Sequence, residues 1–122
     1  MNRKRFERLV AEALDSLPLK FQEWMENVDV VIETWPSRET IRSMGLPPGE
    51  TLMGLYQGVP LTKRTSRYGQ VLPDRITIYQ GPIEASCHNA EEVRIRVRQV
   101  VMHELGHHFG ISDERLRELG AY

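Results

Sequence analysis

Several classes of protein are excluded by what this sequence has little of. A single cysteine, Cys87, rules out an internal disulfide and suits a reducing cytoplasm. No long apolar run occurs, and the first segment, MNRKRFERLVAEAL, interleaves charged and apolar residues, so we expect neither a signal peptide nor a membrane span. Neither sign of charge is in excess. The 16 basic and 17 acidic residues leave a net charge of −1, so neither nucleic acid nor a membrane is an expected partner.

A single domain is predicted for residues 1–122. The length provides for one hydrophobic core, and no repeat, low-complexity tract or linker divides the chain. Apolar residues at helical spacing predict a first helix from Arg3 to Leu17, which Pro18 is expected to end or to restart as a short second piece. Ser37 is suited to cap one further helical turn.

Three segments rich in β-branched and other apolar residues predict strands. They run from Val28 to Trp35, from Leu52 to Val59 and from Asp74 to Ile83. Between the last two lies a polar and basic stretch that is predicted to be an exposed loop. Within it, Lys63 to Arg67 is most simply a solvated run, with binding of acidic substrate groups as the alternative.

The segment VRIRVRQV, from Val93, alternates like a half-buried strand, yet its apolar residues also form a helical stripe. Asn89, followed three residues later by Glu92, forms a plausible helix N-cap. We therefore predict a helix from about Ala90 to Phe109, ended by Gly110. The choice also rests on the motif that follows, which requires a helix.

The residues most indicative of chemistry are HELGHHFGISD, from His103 to Asp113. Helical residues four apart are separated by only ~40° around the axis and ~6 Å along it, so His103 and His107 project from one face. Both rings can lean toward one zinc ion, whose tetrahedral ligands lie ~3.4 Å apart. Glu104 lies on the adjacent side of the same turn, where its carboxylate can take a proton from water and pass it to a leaving amine.

A catalytic zinc site keeps three protein ligands and one open position, so a third ligand is needed. Gly110 permits a sharp turn because it lacks Cβ, and Asp113 follows, which completes H-E-x-x-H-x-x-G-x-x-D. Asp113 also suits the first turn of a short helix that Ser112 would cap, so Glu114 stays open as an alternative ligand.

Neighbouring residues have simpler interpretations. Gly106 costs roughly 1 kcal/mol within a helix relative to alanine, which predicts close backbone approach there, from a strand or from Tyr122. His108 is rotated by ~100° from the preceding histidine and is predicted to be packed or solvated. Cys87 and His88 are possible metal ligands, although a small buried thiol is the simpler interpretation of the cysteine.

These motifs are similar to those of known peptidases. H-E-x-x-H marks the zincin metallopeptidases, and its extension to Asp113 resembles the metzincin arrangement with Asp in place of the third His. A closer resemblance is to the small bacterial zincin-like metallopeptidases, the minimal zincins, which have about this length. The segments that carry it are L-x-G-L-Y-x-G from Leu52, D-x-I-x-I-Y from Asp74 and H-E-L-G-H-H-F-G from His103.

The resemblance implies an α+β, reduced zincin-like fold, in which a small mixed β-sheet packs on the HExxH helix and on an N-terminal helix. It also implies Zn2+ as cofactor, bound by His103, His107 and Asp113, with Glu104 as general base. The substrate would then be a peptide or a protein. The expected function is zinc-dependent hydrolysis of peptide bonds.

In zincins an edge strand pairs with the extended substrate. We expect Asp74–Gln80 to have this role here, with Tyr79 as a candidate for substrate contact. Two other functions stay open. One is a non-catalytic, metal-stabilised interaction domain, which a fourth protein ligand would favour. The other is a metal-dependent RNA hydrolase similar to the bacterial rRNA-maturation endoribonucleases, which lack a glutamate at the position of Glu104.

Overall fold

The computed structural model describes residues 1–58 and 72–121. The described elements are α1 (Arg3–Asp15), α2 (Leu19–Trp24), β1 (Val28–Glu33), α3 (Arg38–Ser43), β2 (Gly54–Gln57), β3 (Asp74–Tyr79), α4 (Gln80–Ala85), α5 (Ala90–His108) and α6 (Asp113–Glu118). Within these ranges no helix is both long and apolar enough to cross a bilayer. The predicted basic loop at 63–67 lies outside the described residues.

The first two helices follow the apolar pattern closely. The Asn2 side chain caps α1, and the helix buries Phe6, Val10 and Ala13 along one stripe. It ends at Asp15, two residues earlier than predicted, because the proline at 18 disfavours helical geometry at the residue before it. The chain then restarts as α2, as expected.

Three strands form one mixed sheet in the order β1-β3-β2. β1 is parallel to β3, and β2 is antiparallel to it, so β3 is the central strand. The expectation that Asp74–Gln80 is an edge strand is therefore wrong, because β3 is hydrogen-bonded on both sides. β1 and β2 are both shorter than predicted, and Val59 lies outside the described residues.

The third strand also ends earlier than predicted, at Tyr79 instead of Ile83. Gln80–Ala85 forms the short helix α4 instead. Pro82 explains the difference: it has no N–H to donate to a sheet ladder, whereas the first turn of a helix does not need that donor.

Helix α5 packs against α1 on one side and against β2 and β3 on the other. Its buried residues recur at helical spacing, and they include Val93, Val97, Val101 and Leu105. These side chains join those of α1, β3 and α6 in one hydrophobic cluster. Helix, not strand, is thus the correct interpretation of VRIRVRQV, and Asn89 caps it by accepting a hydrogen bond from the Glu92 N–H at 2.8 Å.

Candidate metal centre

Helix α5 brings the two histidines of the motif together. His103 and His107 lie one turn apart, with ring centroids separated by 4.1 Å and ring planes inclined by 56°. His103 is partly buried, whereas His107 is 46% exposed. Both imidazoles therefore border the same surface region.

A sharp turn after α5 returns the chain to this surface. Gly110 has a φ of 79°, in the left-handed region that glycine adopts without strain. Its N–H donates to the His107 carbonyl, and the Ile111 N–H donates to the Gly106 carbonyl at 2.8 Å, the two bonds of a Schellman motif. Ser112 then caps α6 as predicted, accepting from the Arg115 N–H at 3.2 Å.

This turn makes Asp113 the first residue of α6 and directs its carboxylate toward α5. Asp113 Oδ1 lies 2.7 Å from His107 Nε2. Ligand atoms of His103, His107 and Asp113 all lie within 4.8 Å of one another. Two imidazole nitrogens and one carboxylate oxygen form a donor set that zinc accepts, so these residues fit the expected metal.

The alternative ligands lie outside this cluster. Among residues 1–58 and 72–121, the cluster of potential ligands contains neither Glu114, nor Cys87, nor His88. Glu114 is exposed on the first turn of α6. The assignment of Asp113 as third ligand stays a prediction, and the geometry is compatible with it.

Burial changes the acid–base properties of two residues at the site. The pKa of His103 is lowered, first by burial and then by the nearby His107, while Asp113 opposes the shift. A lowered pKa favours the neutral imidazole that a metal requires. The pKa of Glu104 is raised by burial, with His107 acting in the opposite direction. The Glu104 carboxylate is thus a stronger base than a solvated one.

Strand β2 runs along α5 beside Glu104, and Gly54 allows this close approach. A Cβ at Gly54 would lie 2.5 Å from Val100 Cγ1 and 3.8 Å from Glu104 Cγ. The segment L-x-G-L-Y-x-G contains Gly54, but the sequence alone does not predict this contact. A glycine within a strand signals close approach of another element.

Gly106 has a related role on another side of α5. A Cβ there would lie 2.5 Å from Leu116 Cδ2. Close approach was predicted correctly, but a side chain of α6, and not a strand, makes this contact; Tyr122 lies outside the described residues. Since Leu116 is fully buried, the contact fixes α6, and with it Asp113, against α5.

A polar cluster on the sheet side of α5 was not foreseen. The Tyr56 hydroxyl donates to Asp74 Oδ2 at 2.6 Å. His108 stacks on the Tyr56 ring at 4.0 Å, and its Nε2 lies 3.7 Å from the same Asp74 oxygen. Asp74 is only 5% exposed, and a strand pattern does not reveal that its first residue will be buried. His108 is a packed histidine, as expected.

Tyr79 is the last residue of β3, and it is buried. Its side chain is 3% exposed, and its backbone N–H donates to the Met53 carbonyl at 2.9 Å. Burial, followed by the charge of Glu33, raises the pKa of its hydroxyl. The expected contact between Tyr79 and substrate stays a prediction, and the low exposure of this residue at the end of a central strand does not favour it.

Fold and site together define a class: small α+β domains with a His–His–Asp cluster, and a glutamate beside it, on one long helix. A family model described as zincin-like metallopeptidase matches residues 25–121, and the chain belongs to that family. The reduced zincin-like fold predicted from the sequence is thereby confirmed.

Solved structures with a similar fold include a conserved hypothetical protein from Thermus thermophilus, with 23% sequence identity and a TM-score of 0.57. The similarity covers 89% of this chain and 94% of the other. No curated protein matches this sequence.

Proposed function

We propose that the protein is a zinc-dependent metallopeptidase in which His103, His107 and Asp113 hold the metal and Glu104 acts as general base. The observation that carries this proposal is the convergence of three donor atoms within 4.8 Å, with the half-buried carboxylate of Glu104 next to His103 on the same helical turn. Membership of the zincin-like metallopeptidase family supports the same chemistry.

Three protein ligands leave one position open in a tetrahedral site, which distinguishes this set from a structural site closed by four. When bound, zinc supplies a Lewis acid that makes water more acidic and polarises a peptide carbonyl. The exposure of His107 and Asp113, 46% and 56%, gives a substrate access to this position.

Glu104 moves the proton. Its carboxylate takes a proton from the attacking water while the water oxygen bonds to the carbonyl carbon. The same carboxyl group then donates that proton to the amide nitrogen as the C–N bond breaks, which releases an amine and a carboxylic acid. The raised pKa of Glu104 suits both transfers, because the group must accept the proton and then return it.

Strand β2 is suited to bind the peptide. The Met53 carbonyl accepts a hydrogen bond from Tyr79, so by antiparallel alternation the main-chain groups of Gly54 and Tyr56 point away from β3. Among the described strands, β2 pairs with β3 alone. An extended peptide can therefore add beside β2 as an antiparallel strand and pass next to Glu104.

The test of this function is cleavage of a random peptide library by zinc-loaded protein, with products identified by mass spectrometry. We expect cleavage by the wild type, its loss on chelation and its return with zinc. Glu104→Gln should keep its zinc yet cleave about 100- to 10,000-fold more slowly, since it lacks the base. Glu118→Gln, which changes an exposed acid of α6 that pairs with Arg115, is the matched control and should cleave normally.

Two results would contradict the proposal. The first is a zinc-loaded wild type that cuts no peptide, which would favour the interaction-domain alternative. The second is equal cleavage by wild type and Glu104→Gln, which would remove the assigned base. Zinc content measured on each sample separates loss of metal from loss of chemistry.

A further inference from the structure

A shallow groove continues from the candidate metal centre along α5 toward its N-terminus. It has a volume of about 200 Å³, and its lining residues are Arg96, Gln99, Val100, His103 and Ala121. One of these residues, Arg96, is charged, and the groove therefore joins a candidate metal ligand to a cation.

Arg96 is held in place by neutral groups. Its Nη1 donates to Ser86 Oγ at 3.0 Å and lies 3.7 Å from Met53 Sδ. On the same helix, by contrast, Arg94 forms an ion pair with Glu91. Within residues 1–58 and 72–121, no carboxylate pairs with Arg96, and no acceptor bonds its Nε or Nη2. Among those residues, the remaining donors of this partly buried guanidinium thus have no partner, and a guanidinium fork suits an anion.

The distance to the metal centre sets which part of a peptide Arg96 reaches. Arg96 precedes His103 by seven residues, hence two helical turns, or ~10.5 Å along the same face. An extended peptide advances ~3.4 Å per residue, so this distance corresponds to about three residues. Arg96 also contacts Met53, which is next to Gly54 and so close to the site, and the distance can therefore be as short as two residues. Arg96 therefore reaches the second or third residue from the bond that is cut.

Strand direction decides on which side of that bond the residue lies. Gly54 lies beside Val100, and Tyr56 stacks on His108, so β2 and α5 run the same way. A peptide antiparallel to β2 runs the opposite way, with its C-terminal part directed toward Met53 and Arg96. This step rests on the proposed function, because it takes a β2-bound peptide as the substrate.

We propose that Arg96 forms a carboxylate-binding subsite, so that preferred substrates carry an acidic side chain, or their own C-terminal carboxylate, two or three residues beyond the cleaved bond. The shared chemistry is a carboxylate on a guanidinium fork, a planar pairing with two parallel hydrogen bonds. Arg96 is thus a specificity residue and takes no part in bond breaking.

The test measures peptide capture by immobilised, zinc-loaded Glu104→Gln protein, which should hold peptides without cutting them. Two pools of short, otherwise neutral random peptides differ at one fixed position, Glu in one and Gln in the other. Each pool is made with a free and with an amidated C-terminus. We expect capture of the amidated Glu pool to exceed that of the amidated Gln pool about tenfold, as a hydrogen bond to a charged group provides. If a free C-terminus raises capture of the Gln pool by the same factor, the α-carboxylate is a second group that Arg96 binds.

Substitutions in the same background locate the effect. Arg96→Gln should bring the Glu-to-Gln capture ratio close to one. Arg98→Gln is the matched control, since Arg98 lies on the opposite face of α5, where its Nε donates to the Ser16 carbonyl, and the ratio should stay about tenfold. Equal capture of all pools, or a preference that survives Arg96→Gln, would overturn the proposal.

Cleavage by the wild type separates this inference from the proposed function. If an Arg96-dependent preference appears but no peptide is cut, the subsite stands and the peptidase proposal fails. If peptides are cut without an acid or a chain terminus two or three residues beyond the bond, the peptidase stands and the subsite fails.

Discussion

Two adjacent histidines at the C-terminal end of α5 lie in different surroundings. His107 is 46% exposed and approaches the Asp113 carboxylate within 2.7 Å. His108 is 38% exposed and lies 3.7 Å from the Asp74 carboxylate. Each imidazole thus has an acid nearby and similar access to solvent. What distinguishes His107 is the second imidazole: in the described part of the chain, only its side of the helix brings three donors within 4.8 Å.

The comparison shows that convergence of donors, and not exposure or a single acidic neighbour, defines the candidate metal centre. The His108 side instead joins Tyr56, Asp74 and the end of α5, which fixes β2 and β3 against the helix. One side of α5 is thus suited to bind a metal, and the other stabilises the strand that would bind the peptide. Zinc affinity is the quantity that should separate the two sides.

Substitution of the two histidines should give the largest difference. We expect His107→Ala to lower zinc affinity by more than about 100-fold, since loss of a direct ligand exceeds the 10- to 100-fold typical of outer-shell partners. His108→Ala should bind zinc within about 3-fold of the wild type, because its ring contacts Tyr56 and not the donor cluster. Competition with a chelator measures both affinities, and equal losses would contradict the distinction.

An intermediate effect is expected where α6 is held against α5. Gly106→Ala adds a methyl group 2.5 Å from Leu116 Cδ2, so α6 and Asp113 must shift. We expect zinc affinity to fall roughly 10-fold, as for outer-shell changes. The free energy of unfolding should fall by no more than about 2 kcal/mol, because overpacking costs about 1–3 kcal/mol and alanine recovers about 1 in helix propensity.

Gly120→Ala is a control for Gly106→Ala, because no atom lies within 4 Å of a Cβ at Gly120, although its φ of 83° adds backbone strain. Denaturant unfolding and zinc competition on both variants separate stability from metal affinity. Unchanged zinc affinity in Gly106→Ala would show that the Leu116 contact does not position Asp113.

The smallest effect on zinc should come from the opposite side of the helix. Tyr56→Phe keeps the ring that stacks on His108 but removes the hydroxyl that donates to the buried Asp74. We expect the free energy of unfolding to fall by about 1–3 kcal/mol, the cost of a lost hydrogen bond to a buried charged acceptor. Zinc affinity should stay within about 2-fold, as the ligands are untouched. A fall in zinc affinity as large as that in Gly106→Ala would mean that the two sides of α5 are energetically coupled.

Local signals in the sequence were sufficient to predict α5, the helix that carries the site. The Asn89 cap, the recurring valines and Gly110 each correspond to a physical requirement of α5, and all three were predicted correctly. The positions of His103, His107 and Asp113 on one surface follow from helical geometry and one glycine turn. These interactions are close in sequence, so a single sequence can specify them.

Features that depend on contacts between distant segments were harder to predict from the sequence. A strand pattern does not reveal which strand is central, so Asp74–Gln80 was expected at an edge, whereas β3 lies between β1 and β2. The burial of Asp74 and Tyr79 depends on that same order. The sequence does not distinguish Arg96 from the other arginines of VRIRVRQV. Only the structure shows that Met53 and Ser86 hold it beside the groove. These features arise from pairings between distant segments, which periodicity does not encode.

The most direct measurement is anomalous diffraction at the zinc absorption edge from crystals of the zinc-loaded protein. We predict one strong peak about 2.0–2.2 Å from a ring nitrogen of His103, a ring nitrogen of His107 and a carboxylate oxygen of Asp113. A peak bound by Glu114 in place of Asp113 would correct the third ligand. A peak elsewhere, with the two imidazoles directed to different neighbours, would contradict the account.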